Sequence, residues 1–504
     1  MATTFEIHPA IAVARVGDSV APDGFFLAPE PGGAPPASYR DGAGHLKRQA
    51  ARFRLFQCER DANNHLTAAA ELTMATAQIQ WTVQLANRKA CSIRLVGQGR
   101  RNNASGDDDP TLAIKPTAKT LGAPNSTAAF DDGKFRGTVV PLGEMRTGAD
   151  GSLLILGGHG KAESVPTGAG LPDFADNDGW HDDISDGPIS ATVTVGGIAH
   201  PVKTAWVVVA PPDFAPGIDS IVTWYDVAMQ AAVDRGFRAV AAQPSFQQDI
   251  LPILNRFVRL QWTNPLFRQM FGPGSTRDFA SKFAALADPA KEQQTRLSFL
   301  NALRKPGALP NPGITHIPPL NDDRNDGDSI MLTPLQFAVM QAWANNNFRS
   351  DFGAPPPAGE LLPDALDRVS LQACVGGAFF PGIEAGHLIS DKTLYSEAFR
   401  LDAAKLKAGQ LTEGNAVPWQ ADFSACRTDS ALAWWPAQRP DNVFIDPAQV
   451  GSVAGMKRWL AGVNGVDGAS GLITNFGKLG IVKQETGPGG QTVFIERERK
   501  LPPR

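Results

Sequence analysis

The sequence has few cysteines and few tyrosines for its length, and it has no long apolar run. Four cysteines in 504 residues, none in a C-x-x-C pair, argue against a disulfide framework and against a zinc or redox motif of that kind. No apolar stretch is long enough to span a bilayer, and the first residues show no basic segment followed by an apolar one. We therefore expect a cytoplasmic protein without a membrane segment.

An excess of charge of one sign is also missing. The chain contains 47 Lys and Arg against 51 Asp and Glu, a formal charge of -4. Nucleic acids and anionic membranes are bound by concentrated basic surfaces, which this balance does not favour. We expect small molecules, rather than nucleic acid or membrane, as partners.

No G-x-G-x-x-G fingerprint lies between a predicted strand and a predicted helix. The nearest glycine-rich segment, GSLLILGGHGKAES at residues 151–164, has the wrong spacing. This argues against a flavin or nicotinamide bound in the Rossmann manner. A redox function would therefore need another electron acceptor, because ordinary side chains do not supply one.

The patterns that are present predict an α+β fold. Residues 77–83, 91–96 and 152–156 are short β-rich runs, and residues 189–210 alternate around Gly196-Gly197 as a hairpin does. Helical spacing begins near residue 223, and residues 333–348 start with Thr333, Pro334 and Gln336 as a capping box. We predict a β-rich N-terminal domain (1–215) packed on a more helical, loop-rich domain (216–504) that carries the cofactor site.

The most acidic segment is DFADNDGWHDDISDGP at residues 173–188. Its carboxylates are close enough in sequence to converge on a hard cation, and His181, Asp182, Asp183 and Asp186 are possible ligands. Asp-rich and Gly-rich runs are more often turns whose carboxylates cap backbone N–H groups. We favour this structural interpretation and expect no metal.

Cys374 lies in DALDRVSLQACVGG, which predicts a short amphipathic helix closing at Gly376 or Gly377. The sequence places the cysteine in the last helical turn, where partial negative charge raises the pKa of a thiol and disfavours a thiolate nucleophile. The residue types alone leave two possibilities, a packed cysteine and a cysteine that is cross-linked by oxidation.

Two longer stretches resemble a known family. They are LQACVGGAFFPGIEAG at residues 371–386 and AVPWQADFSACRTDSALAWWPAQRPDNV at residues 416–443. Their wording is similar to that of the quinone-dependent amino-acid oxidases, the family that includes L-lysine ε-oxidase and a glycine oxidase. Residues 8–19, 39–56 and the acidic segment resemble the same family.

The resemblance implies a cofactor made from the chain itself. Cys374 and Trp435 would be joined by a thioether into cysteine tryptophylquinone, with Trp434 as a competing tryptophan and Cys426 as a second thiol. A carboxylate would remove a proton from the substrate carbon, and dioxygen would reoxidise the cofactor. The products would be an oxo compound, ammonia and hydrogen peroxide.

The resemblance also bears on the other site residues. The family has an Asp just before its Cys, whereas Ser370 stands one turn before Cys374 here. Asp367, two turns before Cys374 on the same helical face, is therefore our candidate base. His387 and Glu384 are candidate pocket residues, with the loop at residues 307–328 as a possible entrance element.

We expect a primary amine, such as an amino acid, and dioxygen as substrates, a flavoprotein needed for cofactor maturation, and a homo-oligomer. Two alternatives belong to other classes. The chain is a family-fold protein that never matures its quinone and serves as a binding or scaffold protein, or it is a metal enzyme that uses residues 181–186. The sequence does not identify the amine.

Overall fold

The structure is a computed structural model that describes residues 2–307, 316–317, 331–356, 358–376, 382–425, 436–463 and 468–501. It has a β-rich N-terminal half and a more helical C-terminal half, as the sequence predicts. Among the described residues, none of the helices combines the length and the apolar character needed to cross a bilayer.

Strands dominate the first 210 residues. In chain order they are β1 (Ala2–His8), β2 (Ile11–Arg15), β3 (Phe25–Leu27), β4 (Arg48–Arg60), β5 (Leu66–Leu72), β6 (Gln78–Val83), β7 (Lys119–Leu121), β8 (Thr127–Ala129), β9 (Lys134–Phe135), β10 (Thr138–Val139), β11 (Glu144–Thr147), β12 (Leu153–Leu156), β13 (Ala162–Ser164), β14 (Trp180–Asp182), β15 (Ser185–Val195), β16 (Ile198–His200), β17 (Val202–Lys203) and β18 (Ala205–Ala210).

Fourteen of the described strands form one sheet. Its main path runs β7-β6-β15-β18-β2-β4-β12-β11-β8, and β1, β3, β5, β16 and β17 pair at its sides. The two central strands β2 and β18 are parallel and buried at every position, as expected for strands covered on both faces. Because the two strands are parallel, both end at the same edge of the sheet, where Arg15 lies opposite Ala210.

The hairpin predicted around Gly196-Gly197 is confirmed. Val195 of β15 pairs with Ile198 of β16, and the two glycines between them have φ values of 57° and 84°. A two-residue turn with positive φ at both positions matches the twist of the flanking strands and favours glycine.

The C-terminal half contains the helices. They are α1 (Trp224–Asp234), α2 (Leu251–Arg259), α3 (Pro265–Phe271), α4 (Phe283–Leu286), α5 (Gln293–Ala302), α6 (Pro334–Ala344), α7 (Leu362–Gln372), α8 (Trp419–Ala425) and α9 (Gly468–Asn475). Short hairpin strands accompany them, namely β19 (Tyr395–Glu397), β20 (Arg400–Leu401), β21 (Asn442–Phe444), β22 (Met456–Arg458), β23 (Ile481–Thr486) and β24 (Thr492–Arg497).

Capping side chains define where two of these helices begin. Thr333 and Gln336 form the predicted capping box of α6, and Thr223 forms another with Asp226 at the start of α1. Each box satisfies backbone N–H groups that have no partner within the helix. The beginning of α1 matters for the site because Cys374 lies against it.

Helix α7 lies on the sheet of the N-terminal half. It packs against β1, β2 and β5, and Leu366 contacts a small apolar cluster that includes Phe56 and Cys58. Ser370 Oγ donates a hydrogen bond to Ile11 O over 2.9 Å. This packing brings the chain that follows α7 to the edge where β2 and β18 end.

Candidate active site

The backbone around Cys374 is held by the beginning of α1. Trp224 N donates to Cys374 O over 3.1 Å, and Gly376 N donates to Val222 O over 2.7 Å. These two bonds flank the cysteine, so its position is coupled to that of α1.

The Cys374 side chain points into the protein interior. The sequence pattern predicted Cys374 in the last turn of the helix. Helix α7 instead ends at Gln372, so the cysteine lies two residues beyond the helix. Its Sγ donates to Ser370 O over 3.2 Å, and 1% of the residue is exposed. The thiol is therefore held in one orientation and shielded from solvent.

A buried ion pair supports the same segment. Arg15 Nη2 donates to Glu384 Oε1 over 2.6 Å, and the other carboxylate oxygen of Glu384 accepts from Val375 N over 3.1 Å. The guanidinium also donates to Pro211 O over 3.1 Å and to Ala373 O over 3.4 Å. With both oxygens of Glu384 engaged, this predicted pocket residue fixes the backbone next to Cys374.

Three carboxylates act on the Cys374 thiol. Burial raises the pKa of the thiol well above its ordinary value, and Glu384, Asp213 and Asp219 raise it further, while Arg15 opposes them. A thiol in this environment stays protonated and is a poor nucleophile at neutral pH. The conclusion drawn from the sequence, that Cys374 is not a thiolate, agrees with this environment, but the cause is burial and neighbouring carboxylates and not the end of a helix.

Asp213 and Asp219 follow the end of β18. Burial raises the pKa of Asp213 to about 6, and one of its oxygens accepts from Ala215 N over 2.8 Å. Burial also raises the pKa of Asp219, against the charges of Arg256 and Arg259. Both aspartates nevertheless keep partly accessible surface.

Asp367 lies in a different buried network. Its Oδ1 accepts from Ala10 N over 2.6 Å and lies 3.0 Å from His8 Nδ1, while His8 Nε2 lies 3.2 Å from Glu6 Oε2. Burial opposes protonation of His8, but the Asp367 carboxylate, and to a smaller extent Glu6, raise its pKa to about 10. The Asp367 carboxylate is therefore bound by a backbone N–H and by an imidazole.

The remaining predicted site features are the two tryptophans, the second cysteine, the loop at residues 307–328 and His387. Trp434, Trp435 and Cys426 lie outside the described residues, as does most of the predicted loop at 307–328. His387 is exposed and begins the short turn His387–Ser390.

The carboxylates of the acidic segment accept hydrogen bonds from different partners. Asp182 accepts from Lys89 Nζ, Asp183 accepts from Lys161 N over 3.1 Å, and Asp186 accepts from Trp206 Nε1 over 3.0 Å. Carboxylates turned to three different groups do not converge on one cation. The geometry favours the structural interpretation of this segment.

One cluster in the described part of the chain has the spacing of metal ligands, and it consists of Glu6, His8 and Cys58. Arg60 donates to both oxygens of the Glu6 carboxylate, over 2.7 and 2.6 Å, and the guanidinium of Arg400 lies 3.6 Å from it. Two guanidinium groups and a protonated His8 already neutralise the carboxylate, so the cluster suits an ion-pair network better than a metal.

Arg15 and Asp213 were missed from the sequence. Arg15 is the last residue of the central strand β2, and Asp213 lies three residues after the end of the central strand β18. Polar residues at the carboxyl ends of neighbouring parallel strands were the signal that could have identified them.

The described part of the site fits a thioether cofactor. Cys374 is buried, protonated and fixed on both sides, which keeps a thiol from competing oxidation and exchange until it is cross-linked. The carboxylates around it suit the binding of an amine and the transfer of protons. Cys374 would hold the cysteine half of the cofactor.

Models of the two parts of one oxidase family match this chain. The model described as L-Lysine epsilon oxidase N-terminal covers residues 8–209, and that described as L-lysine epsilon oxidase C-terminal domain covers residues 319–446. The chain therefore belongs to the L-lysine ε-oxidase family. Membership supports an amino-acid oxidase function.

A curated relative from Marinomonas mediterranea, L-lysine 6-oxidase, is 27% identical over 537 residues. The match covers 83% of this chain and 70% of the relative. The matched region therefore includes most of each chain.

Solved structures show the same fold. The ε-lysine oxidase from Marinomonas mediterranea matches with a TM-score of 0.77 at 20% identity, covering 99% of this chain and 95% of that chain. A structure of the same enzyme described as its Schiff base intermediate with L-Lys matches with a TM-score of 0.76 at 21% identity, covering 98% and 95%. The confirmed architecture is that of the lysine oxidase fold.

Proposed function

We propose that this protein is a quinoprotein oxidase that deaminates a primary amine, namely an amino acid, with dioxygen. The products are an oxo compound, ammonia and hydrogen peroxide. When it is formed, cysteine tryptophylquinone supplies the two-electron acceptor that ordinary side chains lack. Cys374 and Trp435 are the residues proposed to make it, with Trp434 as the neighbouring alternative.

One observation carries this proposal. In a chain of the L-lysine ε-oxidase family, the cysteine that the resemblance assigns to the cofactor is buried, and nearby carboxylates add to the effect of burial in raising the pKa of its thiol. The negative charges attract a substrate ammonium, and burial excludes water that would compete for the reacting groups. The relative captured with L-Lys supports an amino acid as the substrate class.

The roles of the other residues follow from their contacts. The pair of Arg15 with Glu384 positions the backbone on both sides of Cys374. Asp367 is proposed from the sequence as the base, and its bonds to His8 and Ala10 favour a positioning role for it. His387 stays a proposed pocket residue.

The family resemblance supports two further proposals. A flavoprotein partner assists maturation of the cofactor, because forming it requires several oxidation steps that a cysteine and a tryptophan do not undergo unaided in water. The mature enzyme is proposed to be a homo-oligomer.

The cross-link itself is the test. Protein from its natural host, or co-produced with its flavoprotein, is digested and examined by mass spectrometry for one peptide pair that joins Cys374 to Trp435. Cys374→Ala and Trp435→Phe are expected to abolish both the pair and visible absorption, while Trp434→Phe, the matched control, keeps them. Hydrogen peroxide release is then measured with amino acids.

Free Cys374 together with unmodified Trp434 and Trp435 in protein from the natural host would contradict the proposal. The alternative, a family-fold protein that binds or scaffolds without a quinone, would then be the better explanation.

A further inference from the structure

Backbone contacts place Asp213 beside the Cys374 segment. The guanidinium of Arg15 donates to both Pro211 O and Ala373 O, so the chain two residues before Asp213 lies next to the chain before the cysteine. On the other side, Phe214 N donates to Gln438 O over 3.1 Å. Asp213 therefore lies where the chain leaving β18 meets both segments of the family resemblance.

The other acids near Cys374 differ from Asp213 in their surroundings. Glu384 uses one oxygen for Arg15 and the other for Val375 N. Asp219 lies in the field of two arginines, Arg256 and Arg259. The helical position one turn before the cysteine is occupied by Ser370, which carries no carboxylate and donates to the backbone.

Asp367 is also engaged. It accepts from Ala10 N and contacts His8, on the side of α7 that faces the start of β2. By contrast, Asp213 uses Oδ1 for Ala215 N, and within the described ranges its Oδ2 has no partner. The residue also keeps partly accessible surface.

The electrostatic environment agrees with this position. Burial is the main cause that raises the pKa of Asp213 to about 6, and the charges of Glu384 and Asp219 raise it while Arg15 and Ala215 N lower it. A carboxylate whose pKa lies near the working pH is mostly deprotonated before the reaction, and it still accepts a proton readily.

We propose that Asp213 is the catalytic base that removes the proton from the amine-bearing carbon of the substrate. The inference rests on the proposed oxidase function and adds to it a residue that takes the place of a carboxylate on α7. The C–H bond breaks so that the proton goes to Oδ2. Its electron pair passes to the oxidised cofactor of the proposed function, with dioxygen as the final electron acceptor.

The test compares Asp213→Asn with wild type after maturation. Mass spectrometry first checks the cross-linked peptide pair, and phenylhydrazine, a carbonyl reagent whose nitrogen-bearing carbon carries no hydrogen, checks the reactivity of the site. Anaerobic loss of visible absorption is then followed with the standard amino acid that gives most hydrogen peroxide with wild type, in normal form and with deuterium on the carbon that bears the reacting amine. Asp23→Asn, which changes an exposed aspartate outside the site, is the matched control.

We expect Asp213→Asn to keep the cross-link and the phenylhydrazine reaction while the anaerobic step slows about 10²-fold to 10⁴-fold, the usual contribution of a general base. Asp23→Asn should keep the wild-type rate, and Asp213→Glu should restore part of the rate lost in Asp213→Asn. In wild type the rate should rise with pH through an apparent pKa near 6, and Asp213→Asn should lose this dependence.

An Asp213→Asn protein that is cross-linked and reduced at the wild-type rate would overturn this inference alone. The same holds if Asp367→Asn abolishes the anaerobic step and Asp213→Asn does not. Absence of the cross-link from wild type would overturn the proposed function, and the inference with it.

Discussion

Buried charges in this protein are compensated in groups. Glu6 is contacted by Arg60, His8 and Arg400, and these partners hold its pKa well below the usual range in spite of burial. The same network raises the pKa of His8, because Asp367 lies on its other side. A single substitution in such a network leaves an uncompensated charge, which costs more than the pair itself contributes.

The network predicts how stability depends on pH. Because the pKa of His8 is raised from 6.5 to about 10 on folding, its contribution is fully present below pH 6.5 and is lost as the pH rises through about 10. One pKa unit is about 1.4 kcal/mol, so the change amounts to a few kcal/mol. We expect the difference in unfolding free energy between wild type and His8→Gln to shrink from pH 6 to pH 10.

Urea unfolding at a series of pH values measures that difference. His65→Gln is the control, since its side chain is 52% exposed and should change unfolding little at any pH. A wild-type advantage over His8→Gln that stays constant from pH 6 to pH 10 would show that folding does not raise the pKa of His8.

Local sequence signals predicted some elements and not others. The capping boxes and the glycine hairpin were predictable because their hydrogen bonds lie within a few residues. Residues 91–96, predicted as a strand, do not form one. Cys91 ends a short turn in which its Sγ bonds to Arg88 O, and Arg101, buried against Asp176, holds the following loop. Such long-range ion pairs leave no periodic pattern in the sequence.

The connection after α7 gives a prediction about this element. A Cβ built on Gly376 would lie 2.8 Å from Thr223 O and from Val222 O and Cγ1, closer than real Cβ atoms come. Gly376→Ala should therefore push the cysteine segment away from α1, lowering stability by about 1–3 kcal/mol. We also expect less cross-linked peptide after maturation.

Thermal unfolding and quantitative peptide mass spectrometry test both effects. Gly451→Ala is the matched control, because a Cβ there meets nothing within 4 Å. Wild-type yields of the cross-link in Gly376→Ala would mean that the close approach to α1 does not position the cysteine.

At the scale of the whole molecule, the resemblance predicted the family and the local patterns predicted the α+β architecture, and both are confirmed. The contact between the two halves was not predictable from local patterns. Arg15 and Glu384 are 369 positions apart, and so the pair could be found only after β2 and the segment following α7 had been placed together. For the same reason the sequence indicated Asp367, which lies on α7 shortly before Cys374, and did not single out Asp213, whose nearness to Cys374 depends on the same packing.

The boundary predicted at residue 215 stays a prediction, and the packing suggests how the two regions behave. One continuous apolar core contains residues of both, including Val13 and Val208 from the sheet, Trp224 from α1 and Cys374. Because the buried pair of Arg15 with Glu384 also joins them, neither region can unfold without exposing apolar surface and an unpaired charge of the other.

We expect one cooperative transition in urea. Hydrogen exchange read by mass spectrometry should show peptides from β2, β18, α1 and α7 losing protection at the same urea concentration. Loss of protection in the helices well before the central strands would instead identify two independently stable domains, divided near residue 215.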